Sequence, residues 1–145
     1  MEAQNTAVVQ DMYAAFGRGD IAALLGHVAD DVVWIGVYGT GPHVPTSGER
    51  RGKAEVQEFF RQVAESTTFS SFEPKDFIST GNMVVCLGYY AATSSIGKKF
   101  DGDFAMVFHL RDGKVMRFQE FCNSAGINEA FRADTAIPRA AGASA

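Results

Sequence analysis

A single carboxylate in an apolar strand is the residue of this sequence best placed to do chemistry. Glu120 alternates with Phe118 and Cys122 in the last predicted strand, so these three side chains share one face. A lone carboxylate buried among apolar groups has a raised pKa and can act as a general acid or base near neutral pH. The alternative is an exposed Glu near the sheet edge, paired with Arg117 or Arg132.

Two further polar side chains are candidates to assist such chemistry. Tyr13 lies on the first predicted helix, where its hydroxyl either reaches a cavity or is satisfied within the core. His43 lies in a long loop at residues 38–51, where it either swings over a ligand as an acid or base or stays solvated. With Glu120, they form the predicted catalytic set.

Large apolar side chains supply the predicted walls of a ligand pocket. A composition with 12 Phe among 145 residues suits a core with an internal cavity, and it also suits an ordinary core. The predicted ligand-binding residues are Trp34, Phe60, Tyr89, Met106, Phe108 and Phe118, together with Asp103.

Strand alternation predicts which face of the sheet Tyr89 and Asp103 occupy. Tyr89 is predicted on the cavity face of its strand and Tyr90 on the opposite face, although a shift by one residue would exchange them. Asp103 alternates away from Met106, and only a β-bulge would turn it inward.

Apolar periodicity and turn residues predict the elements that position these side chains. The predicted helices are residues 5–17, 20–28, 53–66 and 127–132. The predicted strands are residues 31–37, 69–79, 83–95, 99–111 and 114–123. Three helices interleaved with one strand, and then a four-strand meander, predict an α+β fold with the helices on one face of an antiparallel sheet.

The other face of that sheet is predicted to meet a second copy of the chain. Its side chains are too apolar to remain exposed to water. They are Val85, Tyr90, Ala105, Val107 and Phe121. The sequence therefore predicts a homodimer formed through the outer sheet face.

Length and charge narrow the functional classes. A chain of 145 residues predicts one domain at residues 1–132, followed by a flexible tail at residues 133–145. The net charge of −4, with no basic cluster beyond residues 49–53, argues against a nucleic-acid partner. No 18-residue apolar stretch and no signal peptide are visible, so no membrane association is predicted.

Cysteine usage and motifs bear on the compartment and on cofactors. Alternation points Cys86 away from the cavity and Cys122 toward it, so both thiols are predicted to be reduced and unlinked, which favours a cytoplasmic location. No Cys/His spacing typical of zinc and no Gly-rich phosphate loop occur, so neither a metal nor a cofactor is predicted.

Three segments resemble one known family. They are MYAAFGRGDIAALLGHVADDVVW at residues 12–34, GPHVPTSGERRGKAEVQEFF at residues 41–60 and GDFAMVFHLRDGKVMRFQEFCNSAGINEAF at residues 102–131. In this order they are similar to SnoaL-like proteins of the nuclear transport factor 2-like superfamily, which includes ketosteroid isomerase. The resemblance covers about residues 7–131. It implies an α+β cone, in which a strongly bent antiparallel sheet, mixed at one edge, surrounds a pocket covered by three N-terminal helices.

The same resemblance, carried over residue by residue, argues against steroid isomerisation. Met106 stands at the isomerase's acidic donor, Met12 at its catalytic Tyr with Tyr13 next to it, and Gly36 near its catalytic base. A Met and a Gly supply neither a proton nor a charge. Asn123 stands where the family usually has Asp, and a cap that starts the last helix is the favoured interpretation.

The sequence therefore favours a SnoaL-like pocket protein for a small, mostly apolar organic molecule. In the first interpretation it catalyses cofactor-free isomerisation, cyclisation, hydration or dehydration, with Glu120 as the acid or base. In the second it binds a ligand without turnover, which Met106 and Asn123 at usually polar positions favour. In a third it is a dimeric interaction domain with a vestigial pocket.

Overall fold

The computed structural model describes residues 1–133, which form four helices and one six-stranded sheet. In chain order the elements are α1 (Glu2–Gly17), α2 (Ile21–Leu25), β1 (Val28–Ile35), β2 (Glu49–Arg51), α3 (Gly52–Ser66), β3 (Thr67–Thr80), β4 (Met83–Ser94), β5 (Lys99–Arg111), β6 (Lys114–Phe121) and α4 (Ser124–Ala130). Within this part of the chain, no helix is both long and apolar enough to cross a bilayer. The predicted tail, residues 133–145, lies outside the described residues apart from Ala133.

Amphipathic spacing and a side-chain cap account for the first two helices. In α1, Val9, Met12 and Ala15 are buried, so one face of the helix packs on β3 and β4. The Asp20 carboxylate accepts a hydrogen bond from the Ala23 N–H at 3.1 Å, which starts α2. Both predicted helices are confirmed, including the Asp20 cap, but the second is shorter than predicted, because α2 ends at Leu25 and Val28 begins β1.

The sheet is mixed, with the strand order β2-β1-β6-β5-β4-β3. Neighbouring strands run antiparallel except β1 and β6, which pair in parallel. Between β5 and β6, Asp112 and Gly113 adopt φ values of 53° and 76°, which a two-residue type I′ turn requires. The predicted meander and its mixed edge are confirmed. The short β2 was not predicted, because its three residues, Glu-Arg-Arg, carry no apolar alternation.

The sheet curves around the core. Register shifts interrupt the β3–β4 pairing between Phe69 and Ser71 and between Pro74 and Asp76, and such bulges bend and twist a strand locally. Helices α1, α3 and α4 pack against one side of the sheet, called the inner face below. Together, the curved sheet and the helices form the predicted α+β cone.

The assignment of faces on β4 is a correction to the sequence analysis. Val84, Cys86 and Tyr90 are buried on the inner face, whereas Leu87 is 38% exposed and Tyr89 lies on the outer face. The prediction had these faces exchanged. Nearly every residue of this strand is apolar or small, so its alternation does not distinguish the two faces.

Candidate functional site

The helices and the inner face of the sheet enclose a cavity of about 100 Å³. A single water needs about 10–15 Å³ on the same measure, so the cavity has room for a small organic molecule. Its walls are mostly aromatic and aliphatic. The side chains with a polar group are Tyr13, Trp34, Thr46, Thr67, Tyr90 and Glu120. This mixture of apolar walls and a few polar groups is typical of ligand pockets.

Glu120 is the charged group of this cavity. Strand alternation on β6 turns it toward the inner face with Phe118, and Met106 of β5 lies directly opposite. Among the described residues that line the cavity, Glu120 is the only Asp or Glu, and none is Lys, Arg or His. The structure therefore places one carboxylate, without a basic partner, in an apolar wall.

A strained backbone holds this carboxylate in place. Val37 has a φ of 42°, a conformation that is costly for a β-branched residue. In this conformation the Val37 N–H donates a hydrogen bond to Glu120 Oε1 at 3.1 Å. The next N–H, of Tyr38, donates to the backbone oxygen of Glu120 at 3.2 Å. Val37 is thus a positioning residue, which the sequence analysis did not identify.

Two opposing effects set the proton affinity of Glu120. Glu120 is half-buried as a whole residue, and the apolar walls around its carboxyl group raise the pKa above the ordinary value because they solvate the charged form poorly. The hydrogen bond from the Val37 N–H favours the carboxylate and lowers the pKa. Burial is the larger effect, so the carboxyl holds its proton more tightly in the folded protein than in the unfolded chain.

Glu120→Gln is therefore expected to raise the free energy of unfolding near neutral pH. Because folding raises this pKa, the stabilisation from protonated Glu120 is complete below about 4.5, the ordinary value, and is lost as the pH rises through the folded pKa. Each pKa unit of the shift corresponds to about 1.4 kcal/mol. Urea unfolding at several pH values should show that the free energy of unfolding of the variant rises relative to that of the natural protein as the pH increases.

Glu129→Gln is the matched control, because Glu129 is an exposed carboxylate on α4. Its ion pairs with Lys98 and Arg132 are exposed, so its removal should change the free energy of unfolding by less than about 1 kcal/mol. A Glu120→Gln protein less stable than the natural one at neutral pH would contradict the account, since the ionised carboxylate would then be stabilising.

Tyr13 is a donor that is only weakly engaged. Its hydroxyl donates to the Met106 sulfur, with Oη and Sδ 2.9 Å apart, and a thioether is a weak acceptor. Burial above all, and also the nearby Cys86 and Glu120, raises the pKa of Tyr13, so the phenol stays protonated. A ligand with a stronger acceptor could take over this hydrogen bond.

Two other donors in the wall have no partner. Trp34 stacks on Phe118 with ring centroids 4.0 Å apart and is 3% exposed, and Tyr90 is 4% exposed. Neither the Trp34 Nε1–H nor the Tyr90 O–H has an acceptor within the described chain. The backbone N–H of Asn123 acts on the Tyr90 oxygen and lowers the pKa of Tyr90 by less than burial raises it. An unsatisfied buried donor costs about 1–3 kcal/mol. Tyr90 belongs to the cavity although the sequence analysis placed it on the outer face.

Three predicted site residues lie outside the cavity. Tyr89 pairs with Asp103 across β4 and β5, both side chains belong to the outer face, and the Tyr89 hydroxyl donates to Asp101 at 2.9 Å. His43 is exposed, and its Nε2–H donates to the backbone oxygen of Asn128 at 2.9 Å. Alternation on paired strands and docking of the loop onto α4 explain these positions. The predicted residues that do line the cavity are Tyr13, Trp34, Phe60, Met106, Phe108, Phe118 and Glu120.

The two cysteines are free thiols, as predicted, but not for the predicted reason. Cys86 is fully buried on the inner side of the sheet, and Cys122 packs partly against the same core. Burial raises the pKa of both, that of Cys122 to about 12, so neither is a thiolate near neutral pH. Within residues 1–133, no three His, Cys, Asp or Glu side chains are grouped to hold a metal ion.

The positions that correspond to steroid isomerase residues hold no catalytic group. A Cβ added at Gly36 would lie 2.6 Å from Phe59 Cζ, so that ring leaves no room for a side chain there. Asn123 is a cap, as favoured from the sequence, because its Oδ1 accepts from the Gly126 N–H at 3.2 Å and begins α4. Glu120 is thus the one proton-transfer group that this cavity offers near neutral pH among the described residues.

Comparison with known proteins gives a family. The family model of the SnoaL-like domain matches residues 9–118. This range runs from α1 into β6 and so includes most of the cavity. No curated protein is significantly similar to the chain.

Solved structures share this architecture. An NTF2-like protein from Burkholderia xenovorans is 26% identical with a TM-score of 0.83, and the alignment covers 91% of this chain and 98% of that one. TerC, co-crystallised with polyporic acid, is 27% identical with a TM-score of 0.76, over 90% and 99% of the two chains. A proposed polyketide cyclase from Xanthomonas campestris is 21% identical with a TM-score of 0.67, over 87% and 98%, and supports the fold alone.

Proposed function

The chain belongs to the SnoaL-like domain family, and from this premise we propose that its cavity binds a small, mostly apolar organic molecule and that Glu120 transfers a proton to or from it. The reaction would be a cofactor-free isomerisation, cyclisation, hydration or dehydration. In each of these, one carboxyl group can remove a proton and return it elsewhere.

The observation that carries this proposal is the environment of Glu120. The carboxylate lines an apolar cavity, its pKa is raised by burial, and the Val37 N–H fixes one of its oxygens. A carboxyl with a raised pKa exchanges its proton closer to neutral pH, where general acid–base catalysis is most effective. Tyr13 supplies a protonated donor in the same wall. His43 has no part in this proposal, because it lies outside the cavity.

A relative supports an organic ligand. TerC, which is 27% identical to this chain, was co-crystallised with polyporic acid. The apolar lining found here suits a molecule of organic character.

A second candidate function is binding without turnover. It is favoured by the small number of reactive groups, since Glu120 is the only carboxylate among the described lining residues and the Phe59 ring fills the space beside Gly36. Glu120 would then be a polar contact for the ligand rather than an acid or base.

One screen separates the two candidates. The protein would be incubated with small enolisable ketones and epoxides, with turnover followed by NMR and binding by the fluorescence of Trp34, the sole tryptophan. Turnover supports catalysis, and binding without turnover supports the second candidate. Absence of both across the series would contradict the proposed ligand class.

We also propose that two copies pair through the outer sheet face. The helices cover the inner face, while the outer face carries apolar residues, of which Leu87 is 38% and Phe121 43% exposed. Burying such residues against a second copy is favourable. Sedimentation equilibrium at micromolar concentration should give about twice the 15.6 kDa chain mass. Val107→Lys places a charge on the same face and should give the mass of a monomer. A monomer mass for the natural protein would contradict this proposal.

A further inference from the structure

The cavity wall contains hydrogen-bond donors that have no acceptor in the described part of the chain. The side chains of Trp34, Tyr90 and Tyr13 each offer a hydrogen to donate, and the first two have no acceptor among the described residues. The charged acceptor of the wall is Glu120, one of whose oxygens receives the Val37 N–H, and Thr46 and Thr67 add hydroxyl groups. The wall therefore holds two buried donors that have no acceptor among the described residues, and a bound molecule that brings an acceptor oxygen would satisfy one of them.

The charges of the wall restrict which acceptor fits. Among the described residues that line the cavity, none is Lys, Arg or His, and Glu120 is acidic. A carboxylate ligand would lose its water of solvation without gaining a cation, and it would face the charge of Glu120. Burial, then the nearby Cys122 and Glu120, raises the pKa of Tyr90, so its hydroxyl remains a neutral donor. A neutral acceptor suits these conditions better than an anion.

The shape of the wall favours a ring. Phe60, Phe72 and Phe108 line the cavity with the indole of Trp34, and aromatic faces and edges pack well against a flat conjugated ligand. The lining also includes Met12 and Met106. Their flexible thioether side chains can yield when a ligand oxygen approaches a buried donor.

We propose that the cavity selects an uncharged aromatic ligand whose carbonyl oxygen accepts a hydrogen bond from the Tyr90 hydroxyl or the Trp34 indole N–H. This inference rests on the binding part of the proposed function and is independent of proton transfer by Glu120. It assigns a specificity role to Tyr90 and Trp34 and predicts a preference for aromatic ketones over aromatic acids.

Three matched probes test the preference. Acetophenone has the carbonyl, ethylbenzene has a methylene group in its place, and benzoate has a carboxylate in place of the whole acetyl group. Calorimetric titration should show acetophenone binding about tenfold more tightly than either of the others, since one well-placed hydrogen bond is worth up to that factor.

Two variants test which donor binds the carbonyl oxygen. Tyr90→Phe keeps the ring and removes the hydroxyl, and Trp34→Phe removes the indole N–H. Loss of the donor that binds the carbonyl should weaken acetophenone binding about threefold to tenfold. At least one of the two variants should therefore show this effect and leave ethylbenzene binding within about twofold. Tyr89→Phe is the matched control, since the Tyr89 hydroxyl is on the outer face and bonds Asp101. It should leave all three affinities unchanged.

The outcomes distinguish this inference from the proposed function. If acetophenone and ethylbenzene bind equally, if benzoate binds best, or if neither variant affects acetophenone selectively, the inference is overturned while ligand binding stands. If none of the three probes binds, both the inference and the binding part of the proposed function fail.

Discussion

Glu120→Gln is expected to lower the rate of proton transfer by on the order of 100-fold or more, with ligand affinity nearly unchanged. The amide has the same shape, and its oxygen can still accept from the Val37 N–H, which lies 3.1 Å from Glu120 Oε1 in the natural protein. It cannot take up or release a proton near neutral pH. The measurement is the exchange of the methyl hydrogens of acetophenone for deuterium, followed by NMR, with affinity measured in parallel.

Asp103→Asn is the control for this experiment. It makes the same change of carboxylate to amide on the outer face of β5, where Asp103 is exposed, and should leave the exchange rate unchanged. If Glu120→Gln keeps the full rate, Glu120 is not the acid or base. If the natural protein binds the ketone and does not exchange its hydrogens, the binding function is favoured instead.

Gly88→Ala is expected to destabilise the fold by roughly 3 kcal/mol, which is the upper range for forcing an extra methyl group into a packed core. A Cβ at Gly88 would overlap both the Phe104 ring and the backbone oxygen of Glu73. That oxygen belongs to β3, which pairs with β4 at this point, so it cannot move without disturbing the sheet. Phe104 in turn stacks on Phe72, with ring centroids 5.3 Å apart, and Phe72 lines the cavity.

Gly17→Ala provides the control for the same chemical change. Apart from its chain neighbours and its own helix backbone, no heavy atom of the described chain lies within 4 Å of a Cβ added at Gly17, at the end of α1. This variant should therefore be as stable as the natural protein or slightly more stable. Denaturant unfolding measures both. A Gly88→Ala protein within about 0.5 kcal/mol of the natural one would contradict the close packing of β4 against Phe104.

Local signals in the sequence were sufficient for much of the fold and for Glu120. The Asp112-Gly113 turn marks the last hairpin, and the two-residue spacing of Phe118 and Glu120 places both on the inner face. A register shift between His109 and Leu110 separates this pair from the turn, so the turn alone does not fix which residues of β6 face inward. On β4 both faces are apolar, and for that reason Tyr89 and Tyr90 were each predicted on the wrong face of the sheet. The inner face of this strand is decided by packing on α1, a contact between segments distant in sequence.

The loop after β1 could not be predicted, because tertiary contacts determine its path. The Gly41 N–H donates to Asn128 Oδ1 at 2.7 Å, and His43 binds the backbone of the same residue, so α4 holds the loop. The positive φ of Val37 has no sequence signal, since valine is among the residues least suited to it. The group that positions Glu120 therefore became visible only in the structure.

The pKa of Glu120 itself tests the central claim most directly, because it needs no knowledge of the ligand. Heteronuclear NMR of the side-chain carboxyl carbons of glutamate would follow each group with pH, and Glu120→Gln would identify the signal by its loss. The account predicts that Glu120 titrates above the ordinary value of 4.5, since burial outweighs the hydrogen bond from Val37. A titration at or below 4.5 would contradict it, because Glu120 would then be a well-solvated or strongly stabilised carboxylate rather than an acid–base group in an apolar cavity.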